Sequence, residues 1–121
     1  MKKCVFCAII QGKSRQEHIL DRSNSFIALR PKKPVVEGHT LVIPKQHLVT
    51  LLDIPDTLGK EFLQFTKHIA SELLDTKKGD GFNVIMNNLA PAGQKVFHAH
   101  FHIIPRKEKD GLWKIHLTHA T

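Results

Sequence analysis

No apolar run in this 121-residue chain approaches the roughly 18 residues that a helix needs to cross a bilayer, so no membrane-spanning helix is expected. Cysteine is scarce, with two residues, which excludes a disulfide scaffold. A composition of 41% hydrophobic and 24% charged residues excludes wholesale disorder and a collagen-like chain. Acidic side chains are outnumbered: 11 Asp and Glu stand against 18 Lys and Arg, leaving a formal charge of +7 with every His neutral. The basic residues are scattered, as at Lys32-Lys33, Lys77-Lys78 and Arg106-Lys107, with no single stripe interleaved with aromatics. That scatter argues against a nucleic-acid partner and fits solubility with mild attraction of small phosphates. No repeat, linker or low-complexity run divides the chain, so residues 1–121 read as one domain, long enough to bury a core without disulfides.

Lys2 and Lys3 precede an apolar stretch from Cys4 to Ile10, but Gln11-Gly12-Lys13-Ser14 offers no small-residue cleavage site. The stretch is therefore expected to belong to the mature protein. Two Cys separated by two residues, with no secretory signal, point to a reducing compartment, by default the cytoplasm.

Five elements can be placed from pattern. Ser25 to Leu29 and Thr40 to Ile43 are short, apolar and β-branched, bounded by Pro, Gly or Asn, and read as strands. Leu58, Phe62, Phe65, Ile69 and Leu73 follow helical spacing, which predicts a helix from Asp56, as N-cap, to Lys77, with Lys77-Lys78-Gly79 as the stop. Phe82 to Met86 and Val96 to Ile104 read as two more strands. Strands on both sides of one long helix predict an α+β fold with a mainly antiparallel sheet.

What the chain has in plenty is histidine, nine residues, and three of them alternate in His98-Ala99-His100-Phe101-His102. On a strand they would line one face at about 6.7 Å spacing, with Ala99, Phe101 and Ile103 turned to the core. Such a face suits two chemistries. His-x-His presents two ligands to zinc or iron, although no acidic ligand occurs between His102 and Glu108. Alternatively, a neutral imidazole has a free lone pair for attack on phosphorus. Cys4 and Cys7 are compatible with redox chemistry, with two small buried residues, or with half of a tetrahedral zinc site that needs two further N or S donors. His18, His68, His116 and His119 belong to no motif and read as surface residues.

The run Gly93-Gln94-Lys95-Val96-Phe97-His98-Ala99-His100-Phe101-His102-Ile103-Ile104 resembles the signature of the histidine triad family. Gly38-His39-Thr40-Leu41-Val42-Ile43-Pro44-Lys45-Gln46-His47, Cys4-Val5-Phe6-Cys7 and Trp113 are similar to its other hallmarks, in order, with the short Hint-like branch nearest. The resemblance implies an α+β domain with a mainly antiparallel sheet of about five strands and one long helix, pairing as a homodimer and binding a purine nucleotide. It implies hydrolysis or transfer through a covalent nucleotidyl-histidine: cleavage of purine nucleoside phosphoramidates or aminoacyl-nucleotide adducts, with dinucleoside polyphosphate hydrolysis or a low-activity regulatory binding module as alternatives. Carried over, His100 is the nucleophile, His102 contacts phosphate and leaving group, and Gln94 and Asn87 bind or position phosphate oxygens beside Gly93. His39 completes the polar cluster, and Val5, Phe6, Ile9 and Leu29 form the purine slot. The resemblance also implies a structural zinc held by Cys4, Cys7, His47 and His98. Three residues depart from the family pattern. Pro31 stands eight positions before His39, where an acidic residue usually holds the ribose hydroxyls; Lys95 replaces a common Ser or Glu; and Leu89 replaces a common Gly.

Overall fold

The computed structural model describes residues 4–114; His116 and His119, like Lys2 and Lys3, lie outside the described residues. Five strands form one antiparallel sheet: β1 (Ile19–Arg22), β2 (Phe26–Leu29), β3 (Thr40–Pro44), β4 (Gly81–Ile85) and β5 (Phe101–Arg106), in the order β1-β2-β3-β5-β4. Two α-helices cover it, the short α1 (Val5–Ile10) and the long α2 (Gly59–Asp75). The connection from β3 through α2 delivers β4 to the sheet edge, and β5 then inserts between β4 and β3.

Every residue of β2 and β3 is buried, because both faces of the sheet are covered there. Phe26, Ala28, Val42, Phe101 and Ile103 pack against Phe65, Ile69, Ala70 and Leu73 of α2. Ile27, Leu29, Leu41 and Ile43 pack on the opposite face against Phe6 and Ile9 of α1. The helical stripe expected on α2 is the buried one, with Leu58 and Phe62 partly buried at its margin.

Several expected boundaries shift for local physical reasons. Asp56 does not cap α2: Asp56–Leu58 forms a separate 3-10 turn after Pro55, and the α-helix begins at Gly59 without a side-chain cap. At the other end Lys77, not Gly79, takes the left-handed conformation at φ 61°. The Lys78 N–H reaches the Leu73 carbonyl at 2.9 Å and the Lys77 N–H the Leu74 carbonyl at 3.0 Å, which is a Schellman stop. The strand expected over Val96–Ile104 starts only at Phe101, and the chain bends through Val96–His98. The bend lets Ala99 N–H pair with the Leu48 carbonyl at 2.6 Å rather than with a neighbouring strand. Strand β1 gave no sequence signal, because its exposed Leu20 and its two charged residues invert the apolar alternation. Among the described residues, no helix is long and apolar enough to cross a membrane.

Candidate active site and metal-binding cluster

Residue His102 lies in β5 opposite Leu41 of β3, on the face that α1 covers. His100 lies between the bend and the strand, yet the alternation survives: the rings of His100 and His102 are 5.2 Å apart, and Ala99, Phe101 and Ile103 are buried. His98 is fully buried and turned toward α1, and Phe6 meets both His98 and His100 edge-on, at 5.8 and 5.1 Å. The three His therefore do not line one strand face; the first serves a different cluster from the other two.

The hydrogen-bond network fixes the tautomers. Val35 N–H donates to His39 Nδ1 at 3.1 Å, so the His39 proton must sit on Nε2. That Nε2–H donates to His102 Nδ1 at 2.9 Å, which places the His102 proton on its own Nε2. His100 Nδ1–H donates to the His98 carbonyl at 2.7 Å, leaving a bare lone pair on His100 Nε2. The result is one neutral imidazole with a free lone pair beside another that offers an N–H. Gly38, at φ 97°, supplies the left-handed turn that carries His39 into place, and a Cβ there would press on Leu73 and Pro105 at 3.1 Å.

Burial favours the neutral rings. It lowers the pKa of His39, and that of His100 as well, where the His98 carbonyl opposes it. For His102, burial together with the neighbouring charges of His100 and His39 pushes the value down to about 4. The His102 Cε1 proton resonance, assigned by its loss in His102→Gln, should accordingly titrate near pH 4 and stay in its neutral position from pH 5 to 8. Because this folded value lies below the unfolded one of about 6.5, the unfolded state binds more protons between them. The stability that His102 contributes is thus complete above about pH 6.5 and is lost as the pH falls toward 4. A resonance titrating near 6.5 would contradict the buried relay.

Cys4 caps α1 and accepts the Cys7 N–H at 3.3 Å, so one helical turn presents both sulfurs together. His47, after β3, and His98 complete the group: Cys4 Sγ to His98 Nδ1 is 3.3 Å, Cys7 Sγ to His47 Nδ1 3.2 Å, and His47 Nδ1 to His98 Nδ1 3.1 Å. All four ligand atoms lie within 4.8 Å of one another. A tetrahedral zinc with ordinary bond lengths would separate S from N by about 3.5 Å and N from N by about 3.3 Å. His98 donates Nε2–H to the Pro44 carbonyl at 2.8 Å, which turns a bare Nδ1 toward the sulfurs, the arrangement that metal-bound imidazoles adopt. Burial and the adjacent Cys4 push the Cys7 thiol up to about 11, and a bound cation reverses that preference. The four residues can hold a metal ion.

The loop between β4 and β5 is braced by Gln94, which is 3% exposed. Its Oε1 accepts Leu89 N–H at 2.7 Å, and its Nε2 donates to the Val49 and Val96 carbonyls at 2.7 and 3.1 Å. Gly93, at φ 97°, brings the loop against the Asn87 amide. Among the described residues, no hydrogen bond joins Gln94 or Asn87 to the triad. Ile9 and Leu29 are fully buried core, whereas Val5 is half exposed. Pro31 is buried, and Lys95 is exposed beside a small cavity bordered by Cys4, Val5 and His47. A residue without sequence signal is Asn88, whose Oδ1 accepts Leu51 N–H at 2.8 Å and ties this loop to the segment after His47.

Leu89 stands at φ 71°, ψ 162°, a region that only glycine enters without strain. The two bonds to Gln94, side chain and backbone, hold it there. Leu89→Gly should therefore stabilise the protein by about 1 kcal/mol, strain relief of about 1–3 kcal/mol outweighing the entropic cost of glycine. Denaturant unfolding checks this, with Leu89→Ala isolating the loss of the side chain; a lower midpoint for the glycine variant would refute the strain.

The HIT-domain profile matches residues 13–109, most of the chain and all five strands. The chain belongs to the histidine triad (HIT) family. Related HIT proteins include adenylylsulfatase HINT3 of Arabidopsis thaliana, 38% identical over 91% of this chain, and adenosine 5'-monophosphoramidase HNT1 of Saccharomyces cerevisiae, 42% identical over 90%. The chain spans 55% of the length of the first and 66% of the second. Among solved HIT structures, a Zn-bound histidine triad family protein from Mycobacterium smegmatis superposes with a TM-score of 0.82 at 36% identity, covering 91% of this chain and 79% of that one.

Proposed function

We propose that this HIT protein is a nucleotide hydrolase that cleaves purine nucleoside phosphoramidates, or aminoacyl-nucleotide adducts, to the nucleoside monophosphate. The observation that carries the reading is the tautomer pattern, a bare lone pair on His100 Nε2 beside an N–H on His102 Nε2. The names of HINT3 and HNT1, which describe cleavage at an adenylyl phosphorus, support it.

In this reading His100 Nε2 attacks the α-phosphorus, the bond to the leaving amine breaks with its electron pair going to nitrogen, and the amine takes up a proton from solvent as it departs. The His98 carbonyl, already accepting His100 Nδ1–H, stabilises the positive charge that the ring acquires. His102 Nε2–H donates to a phosphate oxygen or the leaving group, held in direction by His39. Water then attacks phosphorus and releases a proton to solvent, and the P–N bond breaks with its electron pair returning to His100 Nε2, which leaves the ring neutral. Gln94 acts as a positioning residue, because its amide is engaged within the loop that presents Gly93 and Asn87. The base lies by Phe6 and Val5, with Ile9 and Leu29 backing the slot. Zinc in the Cys4, Cys7, His47 and His98 cluster is structural, tying α1 to the segment that carries His100. A homodimer through the edge strand β4, where Phe82 and Val84 stand exposed, belongs to the same proposal; sedimentation at micromolar concentration tests it.

The deciding experiment is turnover of a panel comprising adenosine and guanosine phosphoramidates and a diadenosine polyphosphate. Preferential release of the monophosphate from the phosphoramidates is the expected result. Preference for the polyphosphate would transfer the protein to the alternative substrate class.

A further inference from the structure

Away from the triad and the cysteine cluster, Asp21 of β1 and His68 and Glu72 of α2 bring three potential ligand atoms within 4.8 Å of one another. We infer that these residues form a second metal site, for a divalent first-row transition ion held by one imidazole and two carboxylates. His68 belongs to no sequence motif, because its partner Asp21 is 47 residues away.

Two features of the fold build the site. His68 and Glu72 are one helical turn apart, so both project from the same side of α2. Asp21 reaches them because β1 is bulged: Ile19 pairs with Leu29 but Asp21 pairs with the adjacent Ala28, so Leu20 is the extra residue. Without the bulge Asp21 would share the α1-side face with Ile19 and Leu29. With it, Asp21 shares the face of Ala28, which packs toward α2.

The geometry suits a cation better than the protein alone. Asp21 Oδ2 lies 3.1 Å and Glu72 Oε1 2.7 Å from the same His68 Nε2. A single ring nitrogen carries at most one proton to share between two mutually repelling carboxylates. Adjacent ligands of an octahedral ion with bonds of about 2.1 Å are about 3.0 Å apart, close to both separations. All three side chains are at least one-third exposed, so such an ion has an entry path and keeps water in its remaining positions. Asp21 and Glu72 also line a cavity of about 690 Å³ that His39 borders. The ion would therefore pin the edge strand to α2 at the rim of a cavity that His39 also lines.

Mn2+ is the probe, titrated into protein whose cysteine cluster is already zinc-loaded, with free Mn2+ counted by its solution EPR signal. One Mn2+ should bind per chain and raise the melting temperature. Asp21→Asn and His68→Ala should each weaken binding at least about tenfold, with zinc content unchanged, whereas Asp75→Asn, an exposed acid elsewhere on α2, should not. No binding up to about 1 mM would leave the trio as a surface hydrogen-bonded cluster and overturn the proposal. Equal weakening by Asp75→Asn would overturn it too, reducing the binding to diffuse surface charge.

Discussion

His100→Ala should lose at least about a thousandfold in kcat/KM on a purine nucleoside phosphoramidate, equivalent to about 4 kcal/mol of transition-state stabilisation. The variant removes the one ring nitrogen at the site whose lone pair the network leaves uncommitted, since Nδ1 is occupied by the His98 carbonyl. Nucleotide affinity should change far less, because the proposed base slot at Phe6 and Val5 and the proposed phosphate loop at Gly93 remain. Rapid-quench kinetics with the wild type should trap a nucleotidyl adduct that the variant does not form. His39→Ala is expected to have a smaller effect, confined to kcat, because it leaves the nucleophile in place and frees His102 to turn. Undiminished turnover in His100→Ala would refute the nucleophile, and no turnover by the wild type, with nucleotide still bound, would favour a binding module.

The second large effect concerns the metal. Purified protein should contain one zinc per chain, and stripping it should cost about 3 kcal/mol or more of stability, a fall of roughly 10 °C or more in Tm. Cys7→Ser should reproduce the loss. The reason is topological: α1 is six residues long, and the cluster joins its first turn to His47 and His98, 40 and 91 residues away in sequence. Without the ion, a buried imidazole and two thiols converge with little to hold them. Below the lowered Tm, turnover should persist, because no residue of the His39–His102 relay is a ligand. A His-x-His metalloenzyme would instead lose activity at once while staying folded. Zinc-free protein with an unchanged Tm under chelator would refute the structural role.

Much of the fold was legible because its signals are local. The α2 stripe from Leu58 to Leu73 buries as its spacing indicates, and β2, β3 and β4 lie within one residue of their expected bounds. What misled was also local. The alternation at His98, His100 and His102 is real, but an alternating pattern cannot say whether a neighbouring strand is present to pair with it. Only the contact of Ala99 with Leu48 shows that the chain bends there instead. Strand β1 was silent because this bulged edge strand exposes its apolar Leu20 and carries charge on both faces, Asp21 opposite Ala28 and Arg22 opposite Ile27.

By itself the sequence determined the chemistry on offer: a triad of alternating histidines, a Cys-x-x-Cys pair, a His39 after a turn glycine, and the family to which they belong. The tertiary structure decided how those groups are shared out. It turned His98 toward Cys4, 94 residues away, bound His102 into the relay with His39 and left His100 Nε2 uncommitted beside it. It also chose the tautomers, through carbonyl and amide partners at His98, Pro44 and Val35. Residue identity and spacing specify which donors and acceptors exist, but a proton's position on an imidazole depends on what meets its other nitrogen. Those partners are brought together only when the sheet closes.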